Sequence, residues 1–162
     1  MTTTHPFTTV LRDRFGGVLT HGAHTPDGAA CALEAVSVAR GITWTDKPAS
    51  TRMPDLRPLN DAPWPSDKAR TIAMTPLVIA LWDWADWTDD RRQRWAENVA
   101  LHTIREILPL VLSLWPEHAA ACRAATTLTA AARAADAAAD AGATNILRMA
   151  CRIWIDAVKE TA

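Results

Sequence analysis

An all-α fold, a compact irregular bundle of about six or seven helices, is what this sequence predicts, and three observations carry it. Ile146, Met149, Ala150, Ile153, Trp154, Ala157 and Val158 step by three and four, opposite Arg148, Arg152, Asp156 and Lys159. That spacing is an amphipathic helix over 144–160. Residues 117–141 are dominated by alanine, the strongest helix former, and predict a helix that stops before Gly142. Ser66 and Thr88 each stand immediately before a helical stretch, where their hydroxyls can accept from orphan N–H groups.

Taken in order, residues 1–6 are polar and read as a loose N-terminus. Phe7 to Phe15 predicts a short helix with Phe7, Val10, Leu11 and Phe15 inward, stopped at Gly16-Gly17; a strand is the alternative, because Thr8, Thr9 and Val10 are β-formers. Pro26-Asp27-Gly28 reads as a helix start with Asp27 as cap, followed by a helix that is apolar nearly all round and therefore buried. Gly41 falls where a left-handed residue ends it. Cys31, Glu34 and Val38 share one face of that helix. A carboxylate there needs a partner, and the loop Trp44-Thr45-Asp46 offers an indole N–H, a hydroxyl and backbone N–H groups. Asp27, Gly28, Cys31, Glu34, Gly41, Trp44 and Asp46 thus form a structural motif.

Pro48, Pro54, Pro58, Pro63 and Pro65 break the next stretch into a connection that no long helix can cross. Pro54 can open a short helix covering Asp55 to Asn60. Ser66 caps a helix over Asp67 to Met74, and Thr75-Pro76 starts another. Thr88 caps a helix in which Ala96, Ala100, Ile104, Ile107 and Val111 recur on one side, with two aspartates in its first turn to suit the dipole. Pro109 should kink or divide it. His102 lies on the opposite side and reads as solvated.

Composition narrows the function. The 162 residues suffice for one domain over 1–162. A formal net charge of −1 provides no global field toward nucleic acid or anionic membrane. Three dispersed cysteines, Cys31, Cys122 and Cys151, are no disulfide framework and suit a reducing, cytoplasmic compartment. The N-terminal stretch lacks a basic region followed by an apolar core, so no secretory signal is expected. No run reaches the ~18 apolar residues of a membrane span. The six glycines form no phosphate-binding loop, and no cofactor is expected.

Two places carry candidate chemistry. His21, His24, Asp27, Cys31 and Glu34 bring together imidazole, thiol and carboxylate groups. His21, His24, Cys31 and Glu34 would be the ligands of a metal; Cys31 as nucleophile with His24 as base, beside Glu34, is the enzymatic alternative. Their spacing matches no standard metal or catalytic motif. The second place is LWDWADWTDDRRQRW. Trp84, Trp87, Arg91, Arg92 and Arg94 form a candidate binding surface, because aromatic and arginine side chains dominate binding hot spots. Asp83, Asp86, Asp89 and Asp90 offset the arginines, which favours a protein partner or a second copy of the chain over nucleic acid.

The pattern H-x-x-H-x-P-D-G-x-x-C-x-x-E-A over His21 to Ala35, then G-x-x-W-T-D-x-P over Gly41 to Pro48, then Leu59-Asn60-Asp61, resembles an uncharacterised all-α family of actinobacteria and their phages and mobile elements. Members of that family usually carry D-H-P-x-C where this chain has Asp46-Lys47-Pro48-Ala49-Ser50. The resemblance implies a helical fold and a mobile-element origin, and no reaction. Together these readings predict a non-enzymatic helical protein that binds a macromolecular partner. An accessory factor such as an inhibitor of a host-defence complex of the CRISPR type would fit. A small metal-binding or Cys/His-dependent enzyme built on His21–Glu34 is the alternative.

Overall fold

The computed structural model describes residues 4–22, 24–111, 116–127 and 155. It is all-α, with no strand among the described residues. The chain forms two compact units, Met1–Trp87 and Thr88–Ala162.

The first unit begins with α1, Pro6–Phe15, whose Phe7, Leu11 and Phe15 are buried while Val10 is only half-buried. Gly16 ends it at φ 60°, a left-handed conformation that costs glycine no Cβ clash. α2 is Ala32–Ala39, four residues later than Asp27 would start it. Asp27 is exposed in a turn, and the cap is Cys31 instead. The reason is reciprocity. Cys31 Sγ accepts the Glu34 N–H at 3.5 Å, and Glu34 Oε2 accepts the Cys31 N–H at 2.8 Å, a capping box that Asp27 is too far upstream to make. At the other end Gly41 N–H bonds the Val38 carbonyl and Ile42 N–H the Ser37 carbonyl, with Gly41 at φ 65°. This is the Schellman closure that the glycine announced.

Two single turns follow among the prolines, α3 (Pro48–Thr51) and α4 (Arg57–Asn60). α5 is one continuous helix, Asp67–Ala80, capped by the Ser66 hydroxyl on the Ala69 N–H. The expected break at Thr75-Pro76 does not occur. Pro76 lacks the N–H that would meet the Ile72 carbonyl, but Pro76 is exposed and Ile72 is 67% exposed, so water can serve that carbonyl. α1 and α5 both pack on α2. The core between them holds Phe7, Leu11, Leu33, Val36, Leu56, Met74, Leu77 and Val78.

The second unit starts with α6, Asp89–His102, capped by Thr88 Oγ1 on the Arg91 N–H. Its inward residue is Trp95; Ala96, expected on the buried stripe, is exposed, and Ala100 is half-buried. Pro109 acts where the sequence says it should. A π-turn, Thr103–Ile107, ends with the Leu108 N–H reaching back to the Thr103 carbonyl, and α7 (Leu108–Val111) continues from it. Ile104, Cys122, Ala119 and Ala125 cluster with Leu108 against them, which packs α8 (Pro116–Ala124) on the π-turn and α7. His102 bonds Glu106 at 2.8 Å on the surface. The rest of the alanine-rich helix expected over 117–141 and the amphipathic helix expected over 144–160 lie outside the described residues, apart from Ile155, which is helical.

Candidate functional site

The loop from Thr20 to Ala30 closes on itself, Thr20 N–H donating to the Ala30 carbonyl at 2.9 Å. Its centre is fastened by Glu34, which is 1% exposed. Oε1 accepts the His24 N–H at 2.8 Å. Oε2 accepts both the Cys31 N–H and His24 Nδ1–H, each at 2.8 Å. A carboxylate only accepts, so the His24 proton sits on Nδ1. Three N–H donors on one buried carboxylate meet the requirement that a buried charge be hydrogen-bonded. The other imidazole nitrogen, Nε2, faces Thr20 Oγ1 at 3.0 Å.

The Trp44 loop does not supply the partner expected for Glu34. Its indole N–H donates instead to the His24 carbonyl at 3.0 Å, and Phe15 tilts against the ring at 6.0 Å. Thr45 N–H reaches Ser37 Oγ at 3.4 Å, and that hydroxyl donates to the Glu34 carbonyl at 2.7 Å. So Trp44 steadies the same histidine from the backbone side. Gly28 is exposed and Asp46 half-buried.

A second fastener went unread in the sequence. Asn60 Oδ1 accepts the Ala32 N–H at 3.0 Å, one of the orphan donors of α2. Its Nδ2 donates to the Thr20 carbonyl and to Asp61 Oδ1, and Asp61 Oδ1 also accepts the Gly22 N–H at 2.9 Å. Buried Arg70 donates from Nε to the Asn60 carbonyl at 2.6 Å and pairs with Asp67. The signal was present in Leu59-Asn60-Asp61. An asparagine in a proline-broken connection carries a side-chain acceptor and donor suited to unpaired backbone groups.

This arrangement bears on the chemical readings of the motif. His24 and Cys31 both reach Glu34, but His24 spends its two nitrogens on Glu34 and Thr20 and none on the thiol. Burial pushes the Cys31 thiol up to about 12, against the smaller opposing effect of the Glu34 N–H. A nucleophile needs the opposite shift. His21 is exposed, apart from this network. Among the described residues no three His, Cys, Asp or Glu side chains are grouped to hold a metal ion.

In the tryptophan window, Trp82 and Trp84 are half-buried, while Trp87 and Trp95 are buried. Trp87, expected on a binding surface, is 7% exposed and tilts against Trp84 with centroids 5.1 Å apart. Trp84 and Trp87 end the first unit, and Arg91, Arg92 and Arg94 lie on α6 of the second. Arg92 pairs with Asp89 at 2.8 Å and Arg94 with Asp90. These i,i+3 and i,i+4 pairs explain how the arginines and aspartates share one short stretch. A shallow groove of about 450 Å³ lies elsewhere, lined by Ile42, Thr43, Trp44, Thr45, Lys47 and Ser50.

No described helix is long and apolar enough to cross a membrane. No protein-family model, curated protein or solved structure matches the chain.

Proposed function

We propose that this chain is a non-enzymatic helical binding protein that acts on a macromolecular partner. One observation carries the reading: His24, Cys31 and Glu34 of the opening motif are spent on holding the loop. Glu34 receives three N–H groups, His24 uses both ring nitrogens, and the Cys31 sulfur caps α2. A catalytic set keeps at least one of its groups turned toward substrate. With these groups closed inward, the reading turns to residue types that anchor partners: Trp84 in the first unit and, separately, the α6 arginines in the second. The resemblance to a mobile-element family favours an accessory role there, such as occupying a host-defence complex.

The test is affinity capture with the tagged full chain from source lysate, with nuclease present, read by quantitative mass spectrometry. Wild type should retain one stoichiometric partner. Trp84→Ala or Arg94→Glu, each checked for unchanged helicity, should weaken that retention at least tenfold. Full retention by Trp84→Ala removes the first of these anchors, and full retention by Arg94→Glu the second. No partner for wild type, together with fast alkylation of Cys31 in the native protein, would return the motif to a chemical role.

A further inference from the structure

His5 precedes α1, and its imidazole makes two contacts, the first of which depends on its charge. Nδ1 accepts the Phe7 N–H at 3.2 Å, so His5 is the N-cap of the helix. The ring also meets Trp82 edge-on, centroids 4.7 Å apart and planes at 87°. To accept at Nδ1 the ring must be neutral with its proton on Nε2. An imidazolium carries a proton on both nitrogens. It cannot cap, and it sets a positive charge at the positive end of the helix dipole.

The charged groups around the ring come from the elements packed on α1. Arg40, from the end of α2, lies over the Trp82 ring: its guanidinium is 4.3 Å from the ring centroid and donates to the Trp82 carbonyl. Asp83 comes from the turn after α5. Arg52 and Asp86, paired at 2.7 Å, act in turn on Arg40. Trp82 therefore touches both the His5 ring and the Arg40 guanidinium, and Asp83 offsets the charge of Arg40 at His5.

We propose that His5 is a proton-operated latch on the N-terminal helix: the neutral imidazole caps α1 from its seat beside Trp82, and the imidazolium gives up the cap and releases the first turn. Burial holds the His5 imidazole below its ordinary 6.5; Asp83 pulls it back up and Arg40 pushes it down, without reversing the sign. The unfolded chain therefore takes its proton first as the pH falls. The latch stabilises in full above 6.5, and its contribution is lost between 6.5 and the lower folded value.

The experiment is an NMR titration of the full chain from pH 8 to pH 5, following the His5 ring, the Phe7 amide and the Trp82 indole. The His5 midpoint should lie below 6.5. The Phe7 and Trp82 signals should move with that same midpoint, and protection of the Phe7 amide, corrected for intrinsic exchange, should fall about fivefold, the worth of a typical cap. His5→Asn, which keeps a capping oxygen but does not titrate, should hold Phe7 protection constant over the range. A midpoint at or above 6.5, a Phe7 amide indifferent to the His5 titration, or the same loss of protection in His5→Asn would each overturn the latch. The wild-type titration decides the matter by itself should the variant fold poorly.

Discussion

Replacing Glu34 by Gln tests the clasp with almost no change of shape. The carboxylate accepts at both oxygens: His24 N–H at Oε1, and His24 Nδ1–H with Cys31 N–H at Oε2. An amide has one accepting oxygen and one donating nitrogen, so it can be placed two ways. With its oxygen at the Oε2 position, the NH2 group opposes the His24 backbone N–H. With its oxygen at Oε1, the NH2 group can satisfy His24 Nδ1 only if the imidazole moves its proton to Nε2, and it then opposes the Cys31 N–H and breaks the capping box. Either placement strands one backbone donor. An unpaired buried N–H costs about 1–3 kcal/mol, and the surviving bonds lose their charge assistance, roughly 1 kcal/mol more. The expected loss is about 2–4 kcal/mol, read from urea unfolding followed by far-UV circular dichroism at pH 7.5. Native-state amide exchange would show which placement wins, through faster exchange at His24 or at Cys31. A loss under about 0.5 kcal/mol, the scatter of surface substitutions, would refute the claim that Glu34 organises the loop.

Two further outcomes follow from the same geometry. Asp27→Ala should change stability by no more than about 0.5 kcal/mol in the same urea assay, because Asp27 is exposed and the cap belongs to Cys31; a loss near 1 kcal/mol would return the cap to Asp27. Cys31 should resist iodoacetamide at pH 8 in the native protein. Raising a thiol from 9.0 to about 12 leaves about a thousandfold less thiolate, so labelling located by peptide mass spectrometry should track urea unfolding. Labelling at the rate of a free thiol without denaturant would contradict that burial.

The places where the sequence could be read and where it could not differ in the distance over which the deciding bond acts. Gly16, Gly41, Ser66 and Thr88 declared helix ends because a cap acts within a few residues, and the periodic apolar residues of α1 declared its buried face. Glu34 was visible as a carboxylate in need of a partner. Which partner it takes was not visible, since His24 lies ten residues upstream on a loop whose path is set by Asn60, and Asn60 lies 40 residues from the Thr20 carbonyl it holds. The same limit governs Trp87, whose burial depends on packing and not on its acidic neighbours. The two prolines inside helices make the point most sharply. Pro76 and Pro109 remove the same N–H and threaten the same clash. Pro76 is exposed, and α5 passes through it unbroken; Pro109 is buried, and the helix answers with a π-turn just ahead of it. The residues whose carbonyls are freed, Ile72 and Arg105, are both exposed; what differs is the proline itself, exposed in α5 and packed in the interior beside the π-turn. Proline supplies the disturbance, and burial decides what the helix does about it.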